Sequence, residues 1–391
     1  MIYDNLEYKA KITKEIFKAD ISFLHGASVN ITDTKGLYYN IRFYNHKTNE
    51  LIWQDNITDG YWTAPSIRYY VKWRVEVWKG DTKIKEEILD CTDKNVLINL
   101  DSKSIGDTLA WFPYIEEFRK RHKCKIYCST FHNDWFAGKY PEINFVPPGM
   151  SVPNVYAQYS IGWFYNEDDT YKSSQNPVDF KQYPLQKTAP DILGLPYKEI
   201  KPKLNTKKIH LPTDKKYVVI APHGSKHSSY WQYPGGWQTI INFLKQRDYK
   251  VVMMSGEPLG DTWHDSKLGG TLTGVINRTG TEGDILEKFY EIKNAKALIG
   301  IGSGLSWVSW ALGVPTILIS GFSEAYAEMA DCYRVTTPEG YCTGCFNKHR
   351  LDPGDWEWCP NHKNTIRHFE CSKSITPWMV INNLKKALNI Y

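Results

Sequence analysis

The sequence predicts an α/β protein: two halves of alternating strands and helices facing a cleft, a small β-barrel or sandwich ahead of them, and a four-cysteine metal finger near the C-terminus. Three observations predict it. Residues 1–92 are rich in aromatic and β-branched alternation. From Asn95 onward, short apolar runs end in glycine turns that open amphipathic helices, the pattern of parallel strands joined by helical crossovers. Cys342, Cys345, Cys359 and Cys371 stand in one compact excursion. The domains expected are 1–92, 93–205 and 206–391, the last carrying the finger at 341–372.

With 391 residues, 42% hydrophobic and 23% charged, the composition is that of a globular protein with about two or three cores. A net charge of +5 suits an anionic small ligand but not nucleic acid. Asp352, Asp355, Glu357 and Glu370 inside the cysteine cluster also repel phosphate backbones. No apolar run spans a bilayer, so no membrane partner is expected. Met1 to Tyr8 lacks a basic start followed by an apolar run, so a cytoplasmic location is expected. The eight cysteines then read as thiols or metal ligands. Fifteen Trp and 26 Tyr exceed what a core absorbs, which favours sugar or protein-surface contacts and a homo-oligomer.

Taken in order, Gly36–Tyr44, Glu50–Trp53 and Ile67–Trp78 read as antiparallel strands punctuated by turns. No catalytic constellation stands among them, so a docking role is expected. Asn95–Asp101 is a strand, and Ser102–Lys120 a glycine turn leading into a helix. Asp107 falls at that turn, beyond the carboxyl end of the strand, where a carboxylate acts as general base toward a hydroxyl or simply caps the helix. Residues 145–200 read as loops bordering a cleft, and 201–208 as a linker.

The second half opens with Lys216–Trp231. Its strand delivers Gly224, Ser225 and Lys226 to a loop, where the ammonium and neighbouring amides suit a diphosphate. The plainer reading of Lys226 is a solvated surface lysine. Glu257 follows the strand Lys250–Ser255, at a position where a nucleoside rests. Ala297–Ile301 is another buried strand, Gly302-Ser303-Gly304 a tight turn, Leu305–Leu312 a helix closed by Gly313, and Thr316–Ile319 the next strand. The helix N-terminus offers unpaired N–H groups, with Ser303, Gly304, Leu305 and Ser306 around them. Taken alone it is also an ordinary turn, and it is no dinucleotide fingerprint.

Cys342, Cys345, Cys359 and Cys371 form C-x2-C-x13-C-x11-C, a metal signature. Four thiolates suit tetrahedral zinc or iron, and a redox C-x-x-C is the alternative. His349, His362 and His368 read as surface residues, and Cys91, Cys124, Cys128 and Cys332 as buried thiols.

Ser104-Ile-Gly-Asp-Thr-Leu109, His223-Gly-Ser-Lys226 and Gly302-Ser-Gly-Leu-Ser-Trp307 together resemble heptosyltransferases of the GT-B fold, in particular the bacterial autotransporter heptosyltransferases. These modify serine hydroxyls on adhesin passenger domains. The resemblance covers essentially the whole chain and implies two Rossmann-like domains facing a cleft, with ADP-heptose as donor and an autotransporter passenger domain as acceptor. It implies Asp107 as catalytic base, Lys226 on the donor diphosphate, Ser303, Gly304, Leu305 and Ser306 on the phosphates, and iron, one per chain, at the four cysteines, with zinc as the alternative. The reaction centre is expected to need no divalent ion, because the helix and Lys226 already supply charge. Lipopolysaccharide members carry Asp-Thr where Gly302-Ser303 stand here. Two other readings remain: a GT-B transferase using another nucleotide sugar or acceptor, and a non-enzymatic binding module on the same scaffold.

Overall fold

A computed structural model describes residues 16–280 and 283–390; the remainder, including residues 1–15 of the expected β-rich segment, lies outside the described residues. Among the described residues, the first region holds β1 (Phe17–Ser22), β2 (Ser28–Asp33), β3 (Tyr39–Asn45), β4 (Glu50–Ile57), β5 (Trp62–Thr63), β6 (Trp73–Lys79) and β7 (Thr82–Ile88). They pair as a three-stranded sheet, β1-β2-β5, and a four-stranded sheet, β4-β3-β6-β7, both antiparallel. Alternation drives this pairing, with Ile41, Phe43, Val75 and Val77 all buried. Ile67 to Lys72, expected within a strand, is not one. Arg68 and Tyr70 donate their backbone N–H groups to Ser174 and Ile192, so this stretch docks onto the second region.

The second region is a parallel sheet in the order β10-β9-β8-β11, from β8 (Asn95–Leu100), β9 (Lys125–Ser129), β10 (Ile143–Val146) and β11 (Val155–Ile161). Helices α1 (Ile105–Trp111) and α2 (Pro113–His122) follow β8, and α3 (Thr188–Leu193) follows β11. Residues 145–200 are therefore not all loop. The expected linker is tied down, with Lys203 N–H donating to Tyr140 and Lys207 N–H to Leu286.

The third region is a six-stranded parallel sheet of β12 (Tyr217–Ala221), β13 (Lys250–Ser255), β14 (Ile276–Thr279), β15 (Leu298–Ile301), β16 (Thr316–Ser320) and β17 (Tyr333–Thr336). Its order, β14-β13-β12-β15-β16-β17, reverses direction between β12 and β15. A crevice at the carboxyl ends of the strands opens at such a switch point. Helices α4 (Gly236–Lys245), α5 (Thr262–Lys267), α6 (Ile285–Lys293), α7 (Gly304–Ala311), α8 (Cys345–Lys348), α9 (Glu370–Lys373) and α10 (Pro377–Leu388) complete it. One buried apolar cluster runs from Val29 and Phe43 through Ile98 and Phe118 to Trp307 and Trp310, joining all three regions. No helix among the described residues is long and apolar enough to cross a membrane.

Candidate active site

The second and third regions meet where α1 packs on α7. Two glycines permit the approach. A Cβ on Gly304 would stand 2.6 Å from the Ile105 Cβ, and one on Gly106 would stand 3.0 Å from the Trp307 ring. Beside this contact lies a cavity of about 570 Å³. Asp107, Gly224, Ser225, Lys226, Ser303, Gly304 and Leu305 all line it. Residues 197 positions apart in sequence, Asp107 and Gly304, thus share one chamber.

Asp107 sits in the first turn of α1, but it is not the cap. Ser104 is, accepting the Asp107 N–H at 3.4 Å. The Asp107 carboxylate instead accepts the Ser102 hydroxyl at 2.7 Å, and the residue lines the cavity. Burial pushes its carboxyl up to about 6, against the lowering effect of Ser102 and Ser104. A carboxyl in that range is ionised at neutral pH and still basic enough to take a proton.

Across the cavity, α7 begins at Gly304 with Ser303 as its cap residue, and the Ser303 side chain makes no capping bond. The Gly304 and Leu305 N–H groups have no intrahelical partner, so they and the positive end of the helix face the chamber. Ser306 does not face it. It is fully buried, donating its hydroxyl to the Ile301 carbonyl at 2.7 Å and its N–H to Ser303 at 3.1 Å, which fixes the turn between β15 and α7. Glu257 is also outside the lining; its carboxylate lies 3.4 Å from the His264 Nε2.

Lys226, only 9% exposed, lines the cavity, but its ammonium is engaged from the side. It donates to the Pro353 carbonyl at 2.5 Å and the Asp355 carbonyl at 3.4 Å, both in the cysteine-rich segment. Next to it, His227 Nδ1 lies 2.9 Å from the Glu357 carboxylate, which Lys267 approaches at 3.3 Å. Sequence reading did not single out Glu328, Trp163 or Tyr183, which also line the cavity. Their loops carry no motif. His223 lies within a quoted motif; burial, with His264 beside it, lowers its ring to about 4, so it is neutral.

In the cysteine segment, the Cys342 and Cys345 sulfurs stand 4.0 Å apart, and the Asn361 amide points at both, 3.4 and 3.7 Å away. A tetrahedral thiolate site with metal–sulfur bonds of about 2.3 Å separates its sulfurs by roughly 3.8 Å. Burial, with the other three thiols adding to it, raises Cys345 to about 12, and burial with Cys342 and Cys359 does the same for Cys371. Clustered thiols that resist ionisation are what a bound cation relieves, so the donor set fits a thiolate-bound metal. His362, expected at the surface, is half-buried instead. It shares a site with Cys342 and Glu370, whose ligand atoms all fall within 4.8 Å of one another.

A doubly wound sheet with an open helix N-terminus at its switch point, facing the Asp107 carboxylate of α1 across one cavity, is an arrangement suited to a nucleotide-linked substrate. The glycosyltransferase family 9 (heptosyltransferase) model matches residues 165–335. The autotransporter heptosyltransferase BAHTCr of Citrobacter rodentium is 32% identical over 90% of this chain and 85% of its own length. The crystal structure of the iron-containing dodecameric glycosyltransferase TibC from enterotoxigenic E. coli H10407 superposes with a TM-score of 0.86, at 30% identity, over 95% of this chain and 96% of that one. A second TibC structure, in complex with ADP-D-β-D-heptose, gives a TM-score of 0.84 at 29% identity over the same shares. BimC of Burkholderia thailandensis, named an inactive autotransporter heptosyltransferase, is 29% identical over 79% of this chain and 72% of its own length. The chain belongs to the autotransporter heptosyltransferases.

Proposed function

We propose that the chain moves a heptose from ADP-heptose to serine hydroxyls of an autotransporter passenger domain, with Asp107 as general base. The observation that carries this is the shared chamber: a carboxylate with its pKa near 6 on one wall and an open helix N-terminus on the other. Asp107 takes the hydroxyl proton while the oxygen bonds to the anomeric carbon. The bond from that carbon to the diphosphate breaks, and its electron pair leaves with ADP. The Gly304 and Leu305 N–H groups receive the growing charge, with Ser303 beside them. Lys226 joins them by exchanging its carbonyl partners for phosphate oxygens. These charges are built into the fold, so the reaction centre is proposed to work without a divalent ion. The TibC complex supports ADP-heptose as donor.

Iron at the cysteine segment, one per chain, is the metal proposed, because the thiol set fits and TibC is iron-containing. It supplies a structural crosslink, holding Pro353 and Asp355 where they meet Lys226. TibC is dodecameric, and a homo-oligomer is proposed here too. The division into 1–92, 93–205 and 206–391, with the finger at 341–372, and action in the cytoplasm complete the reading.

Calorimetric titration with ADP-heptose, beside UDP-glucose and GDP-mannose, tests it. Selective binding of ADP-heptose, weakened about tenfold or more in Lys226→Ala, is expected. Binding of another nucleotide sugar instead would replace the donor. The inactive name given to BimC favours a second reading, a binding module without turnover. Donor binding with no sugar transferred would establish that reading.

A further inference from the structure

Parallel sheets are normally covered on both faces. The sheet of β8 to β11 is not. One face, carrying Val96, Ile98, Ile126, Cys128, Ala157 and Tyr159, is fully buried. On the other face, register places Asn99 between Ser129 of β9 and Ser160 of β11, and Leu97 opposite Gln158. This face floors a groove of about 830 Å³, walled by Leu24 on one side and the loop 148–154 on the other. A second hollow of about 180 Å³ continues it, sharing Gln158 and Ser160.

The chemistry of the groove is specific. Asn99, Asp101, Ser129, Asn154, Gln158 and Ser160 line it, and among the described residues none of these side chains bonds to another protein group. Its rim carries Phe131, 44% exposed, and Met150, 54% exposed. Neutral amides and hydroxyls below an apolar rim suit the backbone of an extended polypeptide. The charged residue lining the larger groove, Asp101, is acidic and turns a nucleotide away, and Arg68 in the smaller hollow is engaged by the His25 and Pro65 carbonyls. The position is equally specific. Asp101 ends the groove, while Lys103 and Ser104 line the reaction cavity and Ser102 bonds to Asp107. A chain lying along the groove is therefore led to the base by a single turn.

We infer that this open sheet face is the docking groove for an extended segment of the acceptor polypeptide, holding it so that a hydroxyl enters beside Asp107. The inference rests on the transferase reading above and adds the path of the acceptor to it.

The experiment measures heptose transfer from ADP-heptose to a purified autotransporter passenger polypeptide. Donor affinity by calorimetry and assembly mass are followed in parallel. The full-length variants are Asn99→Ala/Gln158→Ala and Ser160→Trp; the second fills the groove from an exposed position and leaves the core untouched. The acceptor KM is expected to rise about tenfold or more, with kcat within about twofold and donor Kd unchanged. An unchanged acceptor KM while the wild type transfers sugar overturns the groove and leaves the transferase standing. So does a changed assembly mass with unchanged KM, which makes the face a subunit contact. A parallel loss of donor affinity overturns it as well, assigning the groove to the nucleotide. A wild-type chain that binds donor but transfers nothing overturns both readings.

Discussion

Asp107 has to be ionised to take a proton, yet it sits where ionisation is disfavoured. With its carboxyl at about 6, kcat/KM should fall below about pH 6, in a limb of unit slope. A limb near pH 4 would point to another base. Asp107→Asn should cut turnover by about 10²-fold or more while ADP-heptose still binds. Because the folded pKa lies above the ordinary 3.8, the charged form is the one the fold resists. Stability is present while the group is neutral and is lost as pH rises through about 6. Asp107→Asn should therefore melt above the wild type at pH 8, by on the order of 1–2 kcal/mol, with the gap closing near pH 4. An enzyme less active and more stable by one substitution is a signature that a helix cap would not give. The sequence placed Asp107 at a strand end but could not separate base from cap; Ser104, three residues earlier, takes the cap and removes that alternative. Ser306 shows the opposite outcome, its hydroxyl turned inward to Ile301 from the first turn of α7.

Among the elements, α1 and α7 pack closely through Gly304 against Ile105. Gly304→Ala should lower stability by about 1–3 kcal/mol and reduce turnover and donor affinity together, measured by thermal melting and calorimetry. Cys342→Ser should lose metal and melt lower before chemistry suffers, which metal analysis beside a melting curve would show. The spacing of the cysteines was legible because ligand sets repeat in sequence. What the segment rests on was not: Lys226 meets Pro353 across 127 positions, a contact with no local pattern. Strands β12, β13 and β15 were legible as apolar runs because both their faces are buried. Strand β11 was missed, because Gln158 and Ser160 interrupt its hydropathy on the side that opens to the groove. The segment Ile67–Lys72 misled in the other direction, apolar and β-branched yet used for docking.

For the whole molecule, the continuous apolar cluster from Val29 to Trp310 makes the three regions energetically one body. A single calorimetric transition, coincident by fluorescence and circular dichroism, is expected; two separated transitions would show that the β-rich region melts alone. The contact of Gly304 with Ile105 and of Trp307 with Gly106 also bears on how the two parallel sheets can swing. Such a contact has no slack for sliding, so any swing would have to pivot about it. Points near a fulcrum barely travel while the ends of the levers sweep widely. Asp107 and the start of α7 sit close to that point, and the cysteine-rich segment reaches the same cavity through Phe346, Asn347 and Leu351. A swing about this contact would therefore leave the spacing of Asp107 and Gly304 nearly unchanged.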